Sequence, residues 1–336
     1  MPLLVLSEED VSTASSALTP DELMVLMALV FEHLNCQLRC IQLPLRTSIT
    51  TNKHTTLFMP ARIDQFGTTI KTVSVPTTGE RGIHATTLVL DQQSGAVKAV
   101  INATSLTALR TAAGSALATR LLGPSDPKVL VAFGAGRQIE AHVDLLIRVF
   151  PSLDRCTIVN RSLNTRLETL LAKLRSRFPH VTFSSEELES ENLENVVSEA
   201  DIICTATSST KPLFKSHWVK KGTHINLVGS YKPSMIEVDT DLIKRTGKVL
   251  VDSKEACSVE AGELIKAGLT LDDLVEVGAI VEHDGKPIKG TAQMVRCFGD
   301  VTIFKSVGVG LQDTAVAVAV LNKAVEMGLG TEVTQY

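Results

Sequence analysis

Long runs of one charge sign are missing from this chain of 336 residues, whose 33 Lys and Arg nearly balance its 37 Asp and Glu for a formal net charge of −4. Without a basic stripe there is no electrostatic footprint for a phosphate backbone, which argues against nucleic acid as a partner. No apolar run approaches the length needed to span a bilayer. The opening residues, MPLLVLSEEDVSTASS, carry no charged leader before an apolar core; Ser7 with Asp10 three residues on reads instead as a helix start. The six cysteines, at 36, 40, 156, 204, 257 and 297, form no CxxC pair and lack the density of a secreted scaffold. Repeats and low-complexity tracts are absent too. Together these absences predict a reduced, cytosolic, soluble protein. His33, Cys36 and Cys40 would share one face of a helix, but a structural zinc needs a fourth ligand and none is near in sequence. No metal site is expected, and the two thiols read as small apolar fillers on an amphipathic helix.

What is present begins with 44% hydrophobic content, enough for two domains or for one core carrying a large insertion. Apolar residues recur at helical spacing over 21–38 (Leu23, Leu26, Met27, Val30, Phe31, Leu34). TTLFMPAR, GTTIKTVSVP, ATTLVLDQQSG and AVKAVIN then read as an antiparallel meander, and SLTALRTAAGSALATRLLG as a small-residue helix closed by Gly123. From Lys128 the text alternates between strand and helix through KVLVAF, CTIVN, VTFSS, DIICTAT, THINLVG and KVLVDS. Six continuous apolar strands separated by amphipathic crossovers are what a doubly wound parallel sheet requires. Beyond Gly299 comes a strand and a long apolar helix, expected to return to the first domain. The fold class is therefore α/β: a Rossmann domain (124–307) inserted into a discontinuous α+β domain (1–123 and 308–336).

The stretch VLVAFGAGRQIEAH, 129–142, is the first candidate site. Gly134 permits a tight turn off the strand, Gly136 removes a side chain that would hold backbone away from a pyrophosphate, and the next helix offers unpaired N–H groups. Ile139 stands where a third glycine usually serves helix-to-strand packing, which implies a helix set slightly farther from the sheet. A dinucleotide site reading NAD commonly has Asp or Glu at the end of the second strand, about 20 residues on. Here that place holds Asn160, followed by Arg161 and Arg166. A neutral amide does not repel a 2′-phosphate and guanidinium groups can grip one, so the expected cofactor is NADPH in preference to NADH. A solvated basic loop would carry the same residues.

Outside that domain, Lys71 stands in the strand-like TTIKTVSVP, where a buried ammonium is costly unless an anion meets it. Arg110 stands among alanines that allow close approach, and Arg46 follows QLPL. Singly each could be a surface charge; together they could clamp a carboxylate and polarise an adjacent imine or carbonyl carbon.

With these segments in hand, FMPA with Lys71 downstream, LTALRTAA, GAGRQ, ADIICTAT, GTHINLVGS and TIFKSVGVGLQD, the chain resembles the ornithine cyclodeaminase / mu-crystallin family from LLVLSEEDV nearly to its C-terminus. The resemblance implies an inserted Rossmann domain, a homodimer, and a site in which Arg46, Lys71 and Arg110 meet a substrate carboxylate with Lys71 near the reacting carbon. It places Asp313 at the active centre and Tyr231 by the substrate. Around the dinucleotide it puts Thr86 and Arg110, Arg137 and Gln138 on the glycine turn, and Thr205, Ala206, Thr207, Val228, Gly229 and Ser306 at the other strand ends. The threonines could equally be strand-end caps. In the family's cyclodeaminases the loop after the fifth strand carries an aspartate, whereas here it reads LVGSYKPSMIEVD with Tyr231 in that place. A phenol does not replace a carboxylate as a base at neutral pH. The expected activity is therefore NADPH-dependent reduction of the C=N bond of a small, cyclic α-imino acid, or reductive amination of a 2-oxo acid. The rival readings are a cyclodeaminase-type lyase and a non-catalytic, NADPH-dependent small-ligand binder.

Overall fold

The computed structural model describes residues 2–36, 40–77 and 84–334. By internal contact the chain forms two compact units, 1–110 with 309–336, and 111–308.

The first unit is built on an eight-stranded sheet. Its centre is the antiparallel meander His54–Ile63, Gly67–Pro76, His84–Leu90 and Val97–Asn102. Leu3–Leu6 adds in parallel to Val97–Asn102 and is flanked by Thr331–Val333, while Ile41–Gln42 and Thr47–Thr50 both pair with His54–Ile63. Alternation along the meander sends Thr69, Lys71, Thr87, Val89, Ala99 and Ile101 to the buried face. That face packs against the helix Gly310–Glu326, which also contacts the helices Glu8–Ser16 and Pro20–Asn35. Both of these helices start with a reciprocal capping box, Ser7 with Asp10 and Thr19 with Glu22, a feature worth about 1 kcal/mol at each end.

The second of these helices ends at Asn35, short of the expected 38; residue 38 lies outside the described residues. Cys36 is then an exposed C-cap and Cys40 is half-buried beyond it, so neither thiol fills the apolar face of a helix. His33 Nδ1 is instead engaged with the Leu29 carbonyl at 2.6 Å.

The second unit holds eight parallel strands, two more than the six expected, in the order Thr182–Glu187, Arg155–Asn160, Val129–Phe133, Ile202–Thr205, His224–Leu227, Thr302–Lys305, Val249–Val251, Leu274–Glu276. Thr302–Lys305, read as a separate strand before the last helix, takes an interior place, and the three-residue Leu274–Glu276 closes one edge. From Val129–Phe133 the chain winds outward through two strands, then returns to Ile202–Thr205 on the other side. This reversal is a topological switch point, where open α/β sheets bind ligands beyond the carboxyl ends of the strands. Among the described residues no single helix is long and apolar enough to cross a membrane.

Candidate functional site

In the second unit, the glycine turn leaves Val129–Phe133 with Gly134 at φ +114°, a conformation that favours glycine. A side chain there would also put its Cβ 3.1 Å from the Ala206 carbonyl. Gly136 is the N-cap of the helix Arg137–Val149 and provides no side-chain cap, so the first-turn N–H groups face outward toward whatever anion approaches. A Cβ on Gly136 would lie 3.1 Å from Nη2 of Arg166, which brings that guanidinium beside the turn. Arg161 and Arg166 are exposed and Asn160, half-buried, donates to the Ser162 carbonyl at 2.8 Å, leaving no carboxylate at this strand end. Arg137 is exposed, and Gln138 carries a buried Oε1 without a partner. Ile139 is fully buried, with Cγ1 3.4 Å from the position of a Cβ on Gly134, so it fills the space beneath the turn. A glycine cradle, open helix N–H groups and an arginine beside them fit the pyrophosphate of a dinucleotide.

Across the switch point, the carboxylate of Glu237, 0% exposed, gathers the neighbouring loops. Thr205 Oγ1 donates to it at 2.7 Å, the Thr207 N–H at 2.7 Å, Thr207 Oγ1 at 2.9 Å and the Gly229 N–H at 2.7 Å. Thr205 is thus turned wholly inward, while Ala206, Thr207 and Val228 remain half-buried. Burial raises the Glu237 carboxyl above the usual range, against the opposing charge of Lys305 and these donors. Lys305 is itself 0% exposed and forms an ion pair with Glu263 at 2.9 Å. A second buried carboxylate, Asp252, accepts from Ser306 Oγ at 2.7 Å, Val307 N–H at 3.0 Å and Gly308 N–H at 2.7 Å. Glu237 and Asp252 were not found in the sequence: each sits 30 or more residues from most of its donors, and only the sheet brings them together. Tyr231 is 40% exposed, with the Lys232 ammonium 5.5 Å from its ring centroid.

In the first unit, Lys71, Arg110 and Asp313 form one buried cluster, 2%, 6% and 3% exposed. The strand Gly67–Pro76 supplies the lysine, the helix Leu106–Leu122 the arginine, and the first turn of Gly310–Glu326 the aspartate. Lys71 Nζ donates to Asp313 Oδ1 at 2.8 Å and to Thr107 Oγ1 at 2.6 Å. Arg110 Nε donates to the same Oδ1 at 3.3 Å and Nη1 to Gln312 Oε1 at 3.1 Å. Asp313 Oδ2 is buried and has no partner among the described residues. Burial dominates at Lys71 and pulls its pKa below the ordinary lysine value; Asp313 opposes this pull and Arg110 adds to it. At Asp313 burial works the other way, but Lys71 and Arg110 outweigh it and leave the carboxyl below its usual range. The result is an ionised carboxylate shared by two cations, one of them a lysine eased toward proton release. Arg46 is placed differently, exposed just before Thr47–Thr50. Thr86 pairs with Thr72 and so points to the sheet face opposite Lys71. Gln312 carried no sequence signal; its role appears only where its carbonyl meets Arg110.

The family model for the ornithine cyclodeaminase/mu-crystallin family matches residues 9–328. A Δ(1)-pyrroline-2-carboxylate reductase of Bacillus thuringiensis subsp. konkukian is 33% identical over 301 residues, 86% of this chain and 88% of that protein. Ketimine reductase mu-crystallin of Macropus fuliginosus is 32% identical over 242 residues, covering 72% of this chain and 70% of its own length. A solved structure of Thermococcus litoralis Δ(1)-pyrroline-2-carboxylate reductase, in complex with NADH and L-proline, superposes with a TM-score of 0.83 at 26% identity, covering 98% of this chain and 100% of that one. The chain belongs to the ornithine cyclodeaminase/mu-crystallin family.

Proposed function

We propose that this protein is an NADPH-dependent reductase of the C=N bond in a small, cyclic α-imino acid, with reductive amination of a 2-oxo acid as the open-chain form of the same chemistry. The observation that carries the reading is the buried Lys71–Asp313–Arg110 cluster. Arg110 has one guanidinium edge, at Nη2, with no partner among the described residues, and Lys71 uses two of its three N–H donors. These spare donors suit a substrate carboxylate, with Arg46 as an outer contact. Lys71, already eased toward its neutral form, is suited to polarise the adjacent imine or pass it a proton. Relatives named for reducing Δ(1)-pyrroline-2-carboxylate and ketimines support a C=N substrate next to an acid group.

When bound, the nicotinamide supplies the hydride; the chain's part is to hold and orient the two reactants. Gly134, Gly136 and the N–H groups of Arg137 and Gln138 would take the pyrophosphate, and Ala206, Thr207, Val228, Gly229 and Ser306 would border the rest. Asn160, Arg161 and Arg166 support NADPH over NADH, since a carboxylate there would repel the 2′-phosphate. Tyr231, where the lyase reading needs an aspartate, favours the reductase. The face opposite Lys71 bears half-buried Phe58, Ile70, Leu88 and Val100, which supports self-association into a homodimer.

A spectrophotometric screen of NADPH oxidation across five- and six-membered cyclic imino acids tests the proposal. At least one should consume the cofactor stoichiometrically, and indifference to every C=N acid would refute it.

A further inference from the structure

Asp313 Oδ1 is fully committed to Lys71 and Arg110, while Oδ2 of the same ionised group is buried with no donor among the described residues. An unsatisfied carboxylate oxygen away from water is costly, on the scale of the strong charge-assisted bonds it forgoes. The neighbouring Lys71 and Arg110 make the cluster net positive, so a negatively charged substrate group is drawn to them. What Oδ2 itself can take is a proton donor. An α-imino acid has one such group next to its carboxylate: the nitrogen of the protonated imine.

Resting on the reductase reading, we infer that Asp313 Oδ2 accepts the N–H of the substrate's protonated imine, so that the site selects iminium acids bearing an N–H and rejects those whose nitrogen is fully substituted. In the reaction, hydride from the reduced nicotinamide adds to the imine carbon and the C=N π pair moves onto nitrogen. The nitrogen keeps its proton, the product is a neutral amine, and the nicotinamide is oxidised. The hydrogen bond to Oδ2 holds the ion in the protonated form that accepts hydride and fixes which atom of the C=N pair faces the aspartate. A carbonyl oxygen in that place would meet Oδ2 lone pair to lone pair, so direct reduction of 2-oxo acids to hydroxy acids is disfavoured by the same contact.

The test compares, in wild type and Asp313→Asn, kcat/KM for a five-membered cyclic iminium acid with an N–H and for its N-methyl iminium counterpart. In parallel, calorimetry compares binding of the saturated cyclic amino acid with its N,N-dimethyl quaternary form, which keeps the charge, and with the cyclic ether acid of equal size, which keeps the shape. Wild type should favour the N–H ligand by about 100-fold in rate and over both analogues in binding. In Asp313→Asn the Lys71 and Arg110 donors keep the amide oxygen on the Oδ1 side. The amide NH2 is then forced into the Oδ2 position, where an acceptor becomes a donor. The preference for the N–H ligand over its N-methyl counterpart should collapse to within about fivefold, whatever common loss both ligands suffer from the missing charge. Equal handling of the N–H ligand and either analogue by wild type overturns the inference, as does an Asn variant that keeps the full preference. If that variant does not fold, the wild-type comparison with both analogues decides. Failure of the reductase reading is separate: it would appear as no C=N acid reduced, and the binding measurement would still judge Oδ2.

Discussion

At the scale of single residues, the cluster around Asp313 ties chemistry to charge balance. Lys71→Met removes the proposed polarising or proton-donating group and one of two cations while keeping the volume of the side chain. Turnover should fall by at least about 100-fold, and NADPH affinity, measured by fluorescence titration, should change less than about threefold; a variant with most of its activity would take Lys71 out of the reaction. On the nucleotide side, Asn160→Asp puts a carboxylate beside the place proposed for the 2′-phosphate. Its ratio of NADPH to NADH affinity should drop by about 10-fold or more, and an unchanged ratio would detach cofactor choice from this strand end. Lys71 was legible in sequence because an ammonium inside an alternating apolar strand is expensive without an anion. Its anion was legible only through family resemblance, since Asp313 lies 242 residues away.

At the scale of elements, the strand ends of the nucleotide unit are held by two buried carboxylates. Glu237→Gln keeps the shape but offers one acceptor oxygen where four donors converge. Leaving two donors unmatched should cost about 2–4 kcal/mol in denaturant unfolding and raise KM for the nucleotide more than it lowers kcat; an unperturbed KM would show that these loops do not shape the nucleotide site. Gly134→Ala forces a side chain into φ +114° against the Ala206 carbonyl. Nucleotide affinity should fall about 10-fold or more, with about 1–3 kcal/mol of stability lost, and tight binding by that variant would contradict the role of the turn. The glycine turn was readable because it is local: strand, turn and helix start within a dozen residues. Glu237 and Asp252 were not, because their donors come from strands adjacent in the sheet but distant in the chain. The same reason hid Leu3–Leu6 and Leu274–Glu276, short strands whose identity rests on the neighbour they pair with.

At the scale of the whole molecule, the alternation of apolar strands with amphipathic crossovers sufficed for the doubly wound sheet, and period-two patterning for the meander. Helix ends were less well determined, as the stop at Asn35 shows. Stability against acid should depend on His224, whose pKa burial lowers to about 3, helped by Arg296 and opposed by Asn226. Between about 3 and the unfolded value of 6.5 the unfolded chain binds a proton that the folded chain does not, so stability falls as the pH drops through this window. His224→Gln should flatten that part of the pH–stability curve, and an identical curve would remove the buried imidazole from acid unfolding.

The central claim is hydride transfer from NADPH to a C=N carbon beside a carboxylate. Its most direct test is mass spectrometry of the product formed from a cyclic imino acid with cofactor deuterated at the transferable position. The account predicts one deuterium on the α-carbon and one oxidised cofactor per product. An unlabelled product, or ammonia released from a diamino acid with the cofactor pool unchanged, would contradict it.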